Sequence, residues 1–267
     1  MLRPRIIPCL LVHDRGLVKT RRFAEPAYVG DPVNAVRIFN EKEVDELFVA
    51  DIDATVRGAE PDYQLIASLA AECRMPLAYA GGVRSVEQVE RIVGLGVEKV
   101  ALGAAAIATP EFVTAAAARV GSQSIAVVAD VRRSGDRYEV YTHNGARAAG
   151  RTVEDLAAWA ERAGAGEVVV NNIDRDGMMT GYDLDLVARC RQATGLPMTV
   201  LGGAASLDDI ARLIARFPII GAAAGSLFVF KGKYRAVLIN YPDRAAKERL
   251  AGVRIKQHEN SQDAGGR

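Results

Sequence analysis

Two pairs of segments in this chain read alike at one fixed interval of 121 residues. MPLAYAGGVRSVEQV aligns with LPMTVLGGAASLDDI so that Gly81-Gly82 meets Gly202-Gly203, and DELFVADID aligns with GEVVVNNID so that Glu46 meets Glu167. A Gly-Gly pair after a strand is by itself only a turn signal. Here apolar run, turn, helix start and interval agree together, which argues for a duplicated half rather than for chance.

Around these anchors, short apolar runs and longer amphipathic segments alternate eight times, the pattern of a parallel sheet wrapped by crossover helices. Strands are predicted at Arg5–Leu11, Glu46–Asp51, Pro76–Ala80, Lys99–Gly103, Ser124–Asp130, Glu167–Asn172, Pro197–Leu201 and Ile219–Ala224. Helix starts are marked by Asp31, Ser85, Thr109-Pro110, Thr152 and Ser206, residues whose side chains cap free backbone N–H groups or whose fixed φ suits a first turn. Two four-unit halves closed on each other give an α/β fold, a (βα)8 TIM barrel, expected as one domain over residues 1–255 and well accommodated by 267 residues. Two stretches fall outside the repeat. YEVYTH, between Ser-Gly-Asp and Asn-Gly turns, reads as a small hairpin over one barrel face, and residues 256–267 (KQHENSQDAGGR) have too little apolar surface to pack and are expected to be disordered.

Composition narrows the function. Thirty-four basic against 33 acidic residues leave a formal charge of +1, so neither a nucleic acid nor an anionic membrane is attracted at long range, and small molecules or proteins are the expected partners. Cys9, Cys73 and Cys190 are odd in number and stand at no metal-ligand spacing. This points to a reducing, cytoplasmic setting with no disulfide framework and no metal, and no cofactor motif is apparent.

In barrels of this kind chemistry sits at the C-terminal ends of the strands. Those positions hold Leu11, Asp51, Gly82, Gly103, Asp130, Asp174 to Gly177, Gly203 and Ala224-Gly225-Ser226. Gly82 in the first half, with Asp176, Gly177, Gly203, Ala224, Gly225 and Ser226 in the second, has the composition of phosphate-binding loops, because turns free of Cβ atoms expose backbone N–H groups to an anion. Asp130 is placed to be a general acid or base, or simply to hydrogen-bond the next loop. Asp174 and Asp176 also suit a local turn, His13 and His143 are read as solvent-facing without partners, and Trp159 as packing. At the opposite strand ends stand Arg5, Glu46, Lys99 and Glu167. They are either solvated charges or, if buried, a closed ion-pair network.

RIIPCL, GDPVNA, VEKV, GSQS, YEVYTHNG, GAGEVVV, IDRDG with GYDLDL, and LGGAAS together resemble the cyclase subunit of imidazole glycerol phosphate synthase, a lyase of histidine biosynthesis, from about Arg5 to Phe230. That resemblance implies a barrel that accepts ammonia from a glutaminase at its N-terminal face and carries it to a phosphorylated ribulosyl substrate at the other. Arg5, Glu46, Lys99 and Glu167 then match the family's ammonia gate, and Glu98 and Gln123 lie near matching partner-interface positions. Of the family's two catalytic aspartates Asp130 is present, but Leu11 stands where the other belongs. Gly103-Ala104 replaces an Asn-Thr pair, and Leu201 replaces a Ser.

CLLVHDRGLVKT, GDPVNAVRIFNEKEVDELFVADIDAT and GSLFVFKGKYRAVLINYP resemble a divergent branch associated with amidation of surface-polysaccharide sugars. Its members pass ammonia to a third, ATP-using amidotransferase. The expectation is therefore an ammonia-conducting barrel with a glutaminase partner, this third amidotransferase, and an anion or phosphorylated small molecule at its C-terminal face. The alternatives are a true cyclase subunit and a non-catalytic scaffold that activates a glutaminase.

Overall fold

The computed structural model describes residues 3–250 and residue 252. Eight parallel strands close into a barrel: β1 (Arg5–His13), β2 (Leu47–Asp51), β3 (Leu77–Ala80), β4 (Lys99–Leu102), β5 (Ile125–Ser134), β6 (Glu167–Asn172), β7 (Met198–Leu201) and β8 (Gly221–Ala224). Each pairs with the next, and β8 returns to β1, so no barrel edge is left open. All eight lie where the sequence pattern puts them, and the fold is the expected TIM barrel. Expected residues 253–255 and the tail, 256–267, lie outside the described residues.

Period-two alternation sorts the side chains. Ile6, Leu10, Leu47, Val49, Val100, Val127, Val168 and Val170 face outward into the large core beneath the helices. Ile7, Cys9, Phe48, Ala78, Ala101, Ala126, Val169 and Ala223 face inward as a second apolar cluster, with Leu11, Ala50, Ala80, Val128 and Leu201 above them. Six of these lumen positions are alanine, where barrels of this class commonly carry bulky branched residues. The interior is consequently apolar and thinly filled.

The repeat is also present in space. A Cβ on Gly81 (φ +131°) would stand 2.5 Å from the Asp51 carbonyl oxygen, and a Cβ on Gly202 (φ +97°) would stand 2.6 Å from that of Asn172, the residue 121 positions after Asp51. Both turns need glycine because the chain folds tightly against the preceding strand. Asp31, Ser85, Thr152 and Ser206 cap their helices as expected, the last two in reciprocal boxes with Asp155 and Asp209. Thr109 makes no such cap; Pro110 occupies the N-cap position of helix Glu111–Val120.

Two antiparallel extensions rise over the C-terminal mouth. β1 continues two residues beyond the predicted end and folds back as Gly16–Arg21 and Ala24–Gly30, a ribbon the sequence pattern did not reveal. β5 likewise continues to Ser134 and pairs with Arg137–Thr142, which pairs with Arg147–Thr152. The expected hairpin is thus a three-stranded meander that uses the barrel strand itself. Asn144 at its tip donates from Nδ2 to the Ile52 carbonyl at 2.8 Å, tying the meander across the mouth to the loop after β2.

Candidate functional site

At the N-terminal end, Arg5, Glu46, Lys99 and Glu167 enter the lumen from β1, the residue before β2, β4 and β6 and form one closed ring. Arg5 pairs with Glu46 and, at 2.6 Å, with Glu167. Lys99 Nζ lies 3.0 Å from Glu46 Oε1 and 2.9 Å from Glu167 Oε2. Thr199 Oγ1 donates to Glu167 Oε1 at 2.5 Å, with room for this hydroxyl supplied by Gly221, whose Cβ would otherwise stand 2.1 Å from it. Both carboxylates are buried, at 4% and 5% exposure. Burial opposes ionisation of both Arg5 and Glu167, yet their mutual attraction wins: Arg5 is held above its usual range, and Glu167 below the usual carboxylate range. Glu98 and Gln123 are exposed on this same face, just before β4 and β5.

A cavity of about 350 Å³ opens at the other end and descends to Phe48, Ala101 and Val169. These are the inward residues directly above Glu46, Lys99 and Glu167, so two residues of strand, about 6.6 Å, separate the cavity floor from the ring. What lies between is hydrocarbon. A neutral small molecule can cross such a layer, whereas an ammonium ion would pay the cost of an unpaired buried charge.

At the mouth Asp130 accepts from Asn171 Nδ2 at 2.9 Å, and burial, with a smaller contribution from the Asp176 charge, raises its carboxyl to about 7. A group so poised can give or take a proton at neutral pH. Leu11 lines the same cavity. The Asp176 carboxylate, which shares a second, smaller cavity with Leu11, is committed to the ribbon. It accepts from Thr20 Oγ1 at 2.7 Å and from the Phe23 N–H at 3.3 Å.

That smaller cavity, about 40 Å³, is lined by Lys19, Asp176, Gly177, Gly203, Ala224, Gly225 and Ser226. Ser226 Oγ is buried with no hydrogen-bond partner. Lys19 is 5% exposed and donates to the Cys9 carbonyl oxygen at 2.6 Å. Burial pushes its ammonium pKa down.

A family model described as "Histidine biosynthesis protein" matches residues 5–235. The chain belongs to this family. It is 53% identical over 252 residues to a Leptospira interrogans protein named "Putative imidazole glycerol phosphate synthase subunit HisF", covering 94% of this chain and 99% of the relative. It is likewise 53% identical over 251 residues to a Vibrio vulnificus protein named "Putative imidazole glycerol phosphate synthase subunit hisF3" (93% and 96% covered). Identity to the imidazole glycerol phosphate synthase subunit HisF of Streptococcus mutans is 35% over 258 residues (95% and 100% covered).

In this HisF-family barrel the predicted residues segregate by end: the four charges at the floor, and at the mouth Asp130 in the larger cavity and the second-half loop residues in the smaller one. Gly82 lines the larger cavity with Asp130, apart from the second-half loops, and its N–H is already bonded to Thr55 Oγ1 at 3.2 Å. Three readings are corrected. His13 ends β1 and sits 2.7 Å from Asp53, within a group completed by Asp14 whose two carboxylates Arg57 also pairs. His143 is half-buried, lines the larger cavity and contacts Thr142 and Arg147. Asp174 and Asp176 do not close a turn of their own: Asp174 accepts from the meander at Arg133 N, and Asp176 anchors the ribbon. Trp159 packs against the core as expected. Lys19 is the site residue that sequence reasoning passed over, because its strand went unrecognised. Among the described residues no helix is long and apolar enough to cross a membrane.

Proposed function

We propose that this barrel takes ammonia from a glutaminase docked on its N-terminal face, passes it through the Arg5–Glu46–Lys99–Glu167 ring and the alanine-lined lumen, and releases it at the C-terminal mouth. There a third, ATP-using amidotransferase consumes it to amidate a surface-polysaccharide sugar, in the cytoplasm. The observation that carries this reading is a closed ionic floor one residue layer below an apolar lumen, combined with Leu11 at the mouth where the family resemblance calls for a second aspartate beside Asp130. Ammonia is nucleophilic only when neutral, so a passage that excludes water and ammonium serves the chemistry. Glu98 and Gln123, exposed beside the ring, would contact the glutaminase. The loops carrying Asp176, Gly177, Gly203, Ala224, Gly225 and Ser226 would hold an anionic group.

A second reading, cyclisation of a phosphorylated ribulosyl substrate, draws support from Asp130 with its carboxyl at about 7 and from the intact second-half loops. One experiment separates them. Purified protein supplied with an ammonium salt and the ribulosyl substrate gives no cyclised product if the conduit reading holds. Turnover at rates expected of a working cyclase overturns it.

A further inference from the structure

The two halves of the mouth correspond at the 121-residue interval, so their loops can be compared position by position: Gly82 with Gly203, Gly103 to Ala105 with Ala224 to Ser226, and Thr55 with Asp176. In the second half Ser226 presents a buried, unpartnered hydroxyl, and Lys19 Nζ lies 3.0 Å from the point where a Cβ on Gly225 would stand. In the first half the buried serine and lysine have no counterpart, since Ala105 and Val140 stand 121 positions from Ser226 and Lys19. Thr55 Oγ1 accepts the Gly82 N–H. Arg84, exposed at the rim of the cavity, donates from Nη1 to the Gly58 carbonyl oxygen at 3.0 Å, and Asn144 donates from Nδ2 to Ile52. The Asp51 carboxylate lines this cavity, while Ala54, Ala59, Val83, Ala104 and Ala108 supply apolar wall.

The two cavities are contiguous, sharing Cys9, Leu11, Thr20, Phe23, Asn171 and Leu201, yet they differ almost ninefold in volume, about 350 against about 40 Å³. A second buried anion in the larger one would meet the Asp51 carboxylate with no buried cation such as Lys19 beside it, whereas an uncharged group gains by covering its apolar wall. We infer that the mouth binds a small molecule with a single phosphate-like end, held by Ser226, Lys19 and the Gly203 and Gly225 turns, and with an uncharged, largely apolar body lying in the first-half cavity. The inference rests on reading the second-half loops as an anion cradle and is independent of the ammonia passage.

Calorimetric titration with inorganic phosphate and with phenyl phosphate tests it. The expected result is one inorganic phosphate per chain, weakened at least tenfold by Ser226→Asp and by Lys19→Met, with phenyl phosphate binding at least tenfold tighter than inorganic phosphate. Ala59→Phe, which fills the exposed rim of the larger cavity, is expected to erase that preference. Equal affinity for the two probes, or two phosphates per chain, overturns the inference while leaving the cradle intact. Failure of both probes to bind overturns the cradle and the inference together.

Discussion

Glu167→Gln at the barrel floor removes one carboxylate from a network of two cations and two anions, leaving Arg5 and Lys99 with only Glu46. The lost contacts are short: 2.6 Å to Arg5, 2.9 Å to Lys99 and 2.5 Å to the Thr199 hydroxyl, all around a side chain 5% exposed. Breaking a buried ion pair from one side costs about 3–5 kcal/mol because the orphaned charge stays buried. Arg5 is partly exposed and can relax toward water, so the lower end, about 3 kcal/mol, is expected. For a chain of this size that is a fall in melting temperature of roughly 6–12 °C. The difference from wild type depends on pH with a definite sign. Glu167 has a depressed folded pKa, so its stabilisation is present above the unfolded carboxylate value near 4.3 and is lost as the pH falls through the folded one. Urea denaturation at pH 7.5 and at pH 3.5 measures both. The double variant Glu167→Gln with Lys99→Met rebalances the charge and should recover part of the loss. A cost below about 1 kcal/mol at pH 7.5, or strict additivity of the two substitutions, would mean four independent solvated charges and would refute the ring.

Asp130 carries the opposite sign: its carboxyl, raised to about 7, binds a proton more tightly folded than unfolded, so it lowers stability progressively as the pH rises from about 4 to 7. Asp130→Asn is therefore expected to stabilise the protein at pH 8 by about 1–2 kcal/mol, discounted for solvent in the cavity, and to be neutral at pH 3.5. Gly203→Ala should destabilise by at least about 2 kcal/mol, since φ is +104° and the new Cβ would stand 2.2 Å from the Gly181 carbonyl oxygen; thermal denaturation checks it. Leu11→Asp is expected to leave cyclisation of the ribulosyl substrate undetectable in a product assay, because Gly103-Ala104 still replaces the side-chain donors of the Asn-Thr pair in the first-half loop.

The barrel was legible because its information is local and repeated. Eight apolar runs, four effective caps and a doubled Gly-Gly turn each specify one element, and the interval between Glu46 and Glu167 specifies how the elements close. The floor was legible only in part: charges at four strand starts left solvated groups and a closed network both open, and the family resemblance chose the network. The ribbon after β1 was not. Its turn is made by Asp14 and Arg15 at positive φ, without the glycine or asparagine that ordinarily advertises a hairpin, and with it went Lys19. The pairing of His13 with Asp53 and the Gly82–Thr55 bond join residues from separate loops, so only the folded chain displays them.

The sealed passage is tested most directly by isotope competition in the assembled system. The barrel, its glutaminase and the amidotransferase are supplied with glutamine labelled with 15N at the amide and a large excess of unlabelled ammonium, and the product is read by mass spectrometry. Retention of 15N in most of the amidated product, lost in Lys99→Met, is the predicted result. Product carrying the isotope ratio of the bulk ammonium would contradict the passage.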